Sequence, residues 1–125
     1  MRRKLTIGIV CILSVAGASQ VLADDTGMAS THSWRNEGNK TCFLEHSHAG
    51  DGEGRTKRAA KKVAIRVWRE FTAWEYGTDW ASYRRASRKL VTYTKSADGW
   101  SARIEAWPCR LKKRKRVRSR RRKSS

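Results

Sequence analysis

Three groups of residues in this chain could do chemistry: histidines near carboxylates, cysteines, and a long run of cations. His46 and His48 stand one residue apart with Glu45 and Asp51 nearby, and His32 lies upstream. Imidazoles and carboxylates can share a proton or hold a metal ion. The H-x-H pair sits in a glycine-rich stretch and matches no structural-zinc spacing, so no metal and no cofactor are expected. General acid/base chemistry would require the fold to bring His46 or His48 to Glu70 or Glu75. No pair in the sequence has the spacing of a catalytic motif, and so small a fold has little room for a deep pocket. The expectation is a protein that binds and is not an enzyme.

The cysteines are Cys11, Cys42 and Cys109. Cys11 lies in an apolar run from Leu5 through Ala16 that follows Arg2-Arg3-Lys4 and precedes Val21-Leu22-Ala23. That order is the pattern of a cleavable secretory signal over residues 1–23, which sends the protein to the periplasm or the medium. At about a dozen residues the run is short for a membrane span of about 20, and no other stretch is apolar enough for one. Cys11 would leave with the signal. The two cysteines that remain, in an oxidising compartment, most simply form one Cys42–Cys109 disulfide, with an intermolecular bridge or a free thiol as alternatives.

Charge is the dominant compositional feature, with 29 Lys and Arg against 11 Asp and Glu, a formal net charge of +18. It is concentrated at the C-terminus. Arg110, Lys112, Lys113, Arg114, Lys115, Arg116, Arg118, Arg120, Arg121, Arg122 and Lys123 fall within residues 110–125, which hold no acid. Residues 24–109 carry fifteen Lys and Arg against eleven Asp and Glu. Self-repulsion and scarce apolar residues predict a disordered polybasic tail, and a partner selected by charge is selected mainly by that tail.

The elements that must position these groups follow from pattern. Residues 24–55 are polar and glycine-rich and read as an irregular lead-in, tethered near Cys42, with a flexible linker over 49–54. From Thr56 a period of three and four (Ala60, Val63, Ala64, Val67, Trp68, Phe71, Trp74) predicts an amphipathic helix that stops at Gly77. Its other side carries Lys57, Arg58, Lys61, Lys62, Arg66 and Arg69 and reads as a solvated face. Thr78 and Asp79 suit the start of a second helix reaching Arg88 to Leu90. Val91-Thr92-Tyr93-Thr94, a turn over Ser96–Gly99, and Trp100 to Trp107 predict a β-hairpin in which Tyr93 faces Ala102 and Val91 faces Ile104. The expected fold is α+β, two helices packed on a C-terminal antiparallel hairpin, with residues 56–109 as the small domain.

Trp68, Glu75-Tyr76-Gly77, Trp80-Ala81, Ala86, Lys89, Gly99-Trp100 and Ala106-Trp107-Pro108-Cys109 together resemble small uncharacterised exported proteins of rhizobia and related alphaproteobacteria. In that group a YG-x-x-[YW]-A-x-[WY]-x-x-A-x-x-K pattern runs into a two-cysteine hairpin and an A-x-P-C ending. The likeness covers about forty residues and implies export but no activity. At the hairpin positions where the resemblance implies cysteines, this chain has Tyr93 and Ala102. The polybasic tail is no part of the resemblance.

Taken together, the sequence points to a small exported binding protein whose tail contacts anionic envelope polymers: lipopolysaccharide phosphates, anionic lipid or acidic polysaccharide. Nucleic acid obeys the same electrostatics and is the alternative partner, as is a secreted effector with the tail as address. The tail carries only Leu111 and Val117 as apolar residues, which argues against membrane disruption.

Overall fold

The computed structural model describes residues 27–113. The signal expected over 1–23 and the tail from Arg114 lie outside them. A 3₁₀ turn at Met28–Thr31 leads into β1 (Trp34–Glu37), β2 (Lys40–Phe43) and β3 (His48–Gly54), then α1 (Lys57–Tyr76), β4 (Ser87–Ser96), β5 (Gly99–Trp107) and β6 (Cys109–Leu111). Two antiparallel sheets result, one ordered β1-β2-β6 and the other β3-β5-β4.

This corrects the expected architecture of two helices on a hairpin. Residues 77–86 form isolated turns instead of a second helix: Trp80 N–H reaches Gly77 O, Ala81 N–H reaches Thr78 O, and Ala86 N–H reaches Ser82 O. The apolar residues there serve two different cores. Trp80 packs with Phe43, Tyr76 and Ala29, while Ala86 joins Trp68, Ile104 and Ala106. Strand pairing then claims the chain from Ser87, which lies opposite Trp107, and a bulge follows before Leu90 with Arg88 at φ 47°. The flexible lead-in is likewise corrected, since it supplies three of the six strands among the described residues. The hairpin register is as expected, with Tyr93 opposite Ala102 and Val91 opposite Ile104.

Helix α1 starts where Thr56 accepts the Ala59 N–H in its side-chain oxygen (3.1 Å), and it stops at Gly77, whose φ of 95° an L-residue rarely adopts. It buries Ala60, Ala64, Trp68, Thr72 and Tyr76 against β3 and β5. Val67, Phe71 and Trp74, expected on the buried face, are exposed; Trp74 is 76 % accessible. The buried stripe is narrower than the apolar one because small residues bring helix and sheet unusually close. Gly50, Gly52 and Gly54 alternate on the helix side of β3. A Cβ on Gly50 would overlap Ala64 O and lie 2.8 Å from Trp68 N; one on Gly52 would overlap Ala60 O and Ala64 N. Glycines read as a linker are thus a packing seam, where a missing side chain lets two backbones touch.

The β1-β2-β6 sheet hangs on the covalent bond. Cys42 and Cys109 are register partners on β2 and β6 and form a disulfide. Pro108, between β5 and β6, marks the point where the chain changes sheets, and its carbonyl accepts the Phe43 N–H (3.1 Å). No helix among the described residues is long and apolar enough to cross a membrane.

Candidate functional site

All three histidines of the chain converge on the C-terminal turn of α1. His32 follows the 3₁₀ turn, His46 sits in the link between β2 and β3, and His48 opens β3. Strand alternation puts His48 on the same face as Gly50 and Gly52, toward the helix. Helical spacing of three and four puts Thr72, Glu75 and Tyr76 opposite it. The rings of His32 and His46 stack with centroids 4.4 Å apart, and the His48 ring lies 5.1 Å from that of His46. Phe43, Phe71 and Tyr76 wall the cluster.

The hydrogen bonds set the protons. Tyr76 Oη lies 3.0 Å from His32 Nε2 and is also bonded to the Glu75 carboxylate. A carboxylate only accepts, so the tyrosine donates to Glu75 and accepts His32 Nε2–H. His32 then keeps its Nδ1 lone pair. Burial first, and Glu75 second, push the Tyr76 hydroxyl far above its ordinary range, which keeps it protonated. Deeper in, Thr72 Oγ1 donates to Trp68 O (2.7 Å) and so accepts Nδ1–H of His48 (2.9 Å). The other ring nitrogen, Nε2, faces Glu75. Nε2 lies 2.9 Å from Glu75 Oε2, yet it is buried without an aligned hydrogen bond. Burial pushes the His48 pKa down to about 4 against the pull of Glu75, so its imidazole is neutral at pH 7. His46 is lowered as well, by burial and then by His32.

One ring nitrogen each of His32 and His46 and one Glu75 oxygen lie within 4.8 Å of one another. Of the other carboxylates named from the sequence, Glu45, Asp51 and Glu70 are not among these ligand atoms. Asp51 makes a two-pronged ion pair with Arg103 (2.8 and 3.0 Å), and Glu70 lines a surface depression with Arg66 and Arg69. The structure does bring His46 and His48 to Glu75. His32 and Glu75 were missed as partners because 43 positions separate them and no local period links them. Glu37 also adjoins Cys42 and Cys109, but those sulfurs are bonded to each other.

Of the expected polyanion-binding residues, three lie among those described. Arg110, in β6, stacks its guanidinium over Trp34 (4.9 Å) and Trp80 (4.8 Å). Lys112 anchors the strand, donating its backbone N–H to Asn39 O (2.9 Å) and its ammonium to Gly38 O (2.8 Å). Lys113 is exposed. Arg114, Lys115, Arg116, Arg118, Arg120, Arg121, Arg122 and Lys123 lie outside the described residues. Elsewhere Arg58, Lys62, Arg66 and Arg69 form an exposed row on α1, and the depression beside Arg69 continues to Arg84 and Arg85.

No protein-family model, curated protein or solved structure matches the chain.

Proposed function

We propose that this is an exported, non-catalytic binding protein of the kind found in rhizobia and their relatives, which attaches to anionic polymers or surfaces of the cell envelope through its C-terminal cations. The observation that carries the reading is charge segregation: eleven of the 29 cations fall within residues 110–125 with no acid among them. Arg110 and Lys112 are occupied in fastening β6, so the binding run starts at Lys113. Each cation near an anionic surface contributes about 1 kcal/mol, screened by salt. The exposed row Arg58, Lys62, Arg66 and Arg69 adds a second patch of the same sign. Catalysis is the poorer reading of the histidine cluster, because His48 is only 3 % accessible and the nearby Thr72 hydroxyl is buried.

The test is elution from an anionic polymer column across a salt gradient, comparing the protein with a form ending at Lys113, which retains β6 and its anchor. The intact protein should elute at markedly higher salt. Equal elution would refute the tail as the binding element. Replacing Arg58, Lys62, Arg66 and Arg69 with Gln would then show whether the helix row is the site.

A further inference from the structure

We infer that the histidine cluster is a binding site for one divalent first-row transition-metal ion, Zn²⁺ or Cu²⁺, held by His32, His46 and Glu75 with His48 Nε2 at its inner edge. Two independent observations carry this. The first is convergence: the two ring nitrogens and the carboxylate oxygen lie within 4.8 Å of one another. Ligand atoms about 2.0–2.1 Å from a tetrahedral ion are about 3.3 Å apart, so modest side-chain rotation would close the set.

The second observation lies in the interior. His48 Nε2 is a buried ring nitrogen with no aligned hydrogen bond, 2.9 Å from Glu75 Oε2 at the inner edge of the cluster, and its side chain is 2 % accessible. A buried ring nitrogen without an aligned partner is costly to leave unsatisfied, and a cation held at the cluster would satisfy it. The outer bonds have the form of metal-site support: His32 is oriented by Tyr76, His48 by Thr72, and Glu75 by Tyr76. The site also lies at the C-terminal end of a 20-residue helix, the end that favours positive charge. Imidazole nitrogen with one carboxylate is a borderline donor set that favours Zn²⁺ or Cu²⁺ over Ca²⁺ or Mg²⁺.

The test is calorimetric titration of the chelator-treated protein with ZnCl₂ and separately with CuCl₂, with CaCl₂ as contrast. One ion of Zn²⁺ or Cu²⁺ per chain is expected. His46→Gln and Glu75→Gln should each weaken binding at least tenfold, Thr72→Val roughly tenfold as a positioning change, and Asp51→Asn should leave it unchanged. Binding that is non-stoichiometric, or equally tight in His46→Gln, overturns the site. Should the variants fail to fold, Co²⁺ added to the unaltered protein decides: intense visible bands of a tetrahedral nitrogen-ligated ion support the site, and the pale spectrum of the aquo ion refutes it.

Discussion

Substituting Gly50 with alanine tests the close seam between α1 and β3 on which the placement of His48 depends. In an ordinary strand, alanine is more favourable than glycine by about 0.5–1 kcal/mol, because glycine gives up more freedom on folding. Here the added methyl would overlap Ala64 O and lie 2.8 Å from Trp68 N and 3.0 Å from Trp68 Cβ. Two of those three atoms are backbone, so no side chain can rotate aside. Ordinary carbon contacts need about 3.5–4.0 Å, and the helix must therefore withdraw by roughly 1 Å. A gap of 0.5–1 Å already forfeits about a quarter to a half of each contact across it. Overpacking typically costs about 1–3 kcal/mol. With Ala60, Ala64 and Trp68 all on the seam, about 3 kcal/mol is expected. For a folded unit of this size that corresponds to a drop of roughly 12–24 °C in melting midpoint. The assay is thermal unfolding followed by tryptophan emission and calorimetry. Gly38→Ala is the control: it has φ +60° but open space around it, so only the left-handed penalty of about 1–2 kcal/mol applies. A Gly50→Ala protein melting at or above the parent would refute the close approach.

The remaining predictions concern the two sheets. Replacing Cys42 and Cys109 together with alanine should cost about 4 kcal/mol in the chain-entropy account, for a sequence separation of 67; denaturant unfolding with and without reductant checks it, and reductant should affect only the parent. Trp68→Phe removes the indole N–H bond to Ala106 O (3.2 Å) inside the core, leaving a buried acceptor short of a partner. A loss of about 1–3 kcal/mol is expected in urea unfolding.

What was legible in the sequence was local. Thr56 and Gly77 bracket α1 because a side-chain oxygen and a missing Cβ each act within a few residues. Tyr93 and Ala102 were legible as partners because a turn over Ser96–Gly99 sets the pairs of the hairpin back to Leu90 and Glu105. The Cys42–Cys109 bond followed from the two cysteines that remain if Cys11 leaves with the expected export signal. The second helix failed because its spacing of apolar residues is also met by two isolated turns that feed Trp80 and Ala86 to separate cores. Strand β3 failed for a subtler reason. Gly50, Gly52 and Gly54 alternate with Ala49, Asp51 and Glu53 at the period of a strand, but a period-two pattern is normally sought in bulky residues. Against the small residues of α1, glycine is the inward-facing one, and only the helix makes that visible.

The same geometry explains why the histidine cluster sits where the two cores meet. One core, with Trp68 and Ile104, lies under α1; the other, with Phe43, Tyr76 and Trp80, lies over the first sheet. Tyr76 belongs to the second core yet is carried by α1, and His48 belongs to the sheet under α1 yet stacks on Tyr76. His32 and His46 arrive from segments outside both strands of the hairpin. An ion shared by His32, His46 and Glu75 would therefore tie the 3₁₀ turn, the β2–β3 link and the end of α1 at one point. Ligand linkage makes that tie measurable without knowing its biological use. At a free-ion concentration of 1,000 times Kd, binding adds about 4 kcal/mol to stability. The gain should persist in a form ending at Lys113, because none of the three ligands lies in the tail. Loss of the gain on truncation, with the fold intact, would mean that the ion binds elsewhere.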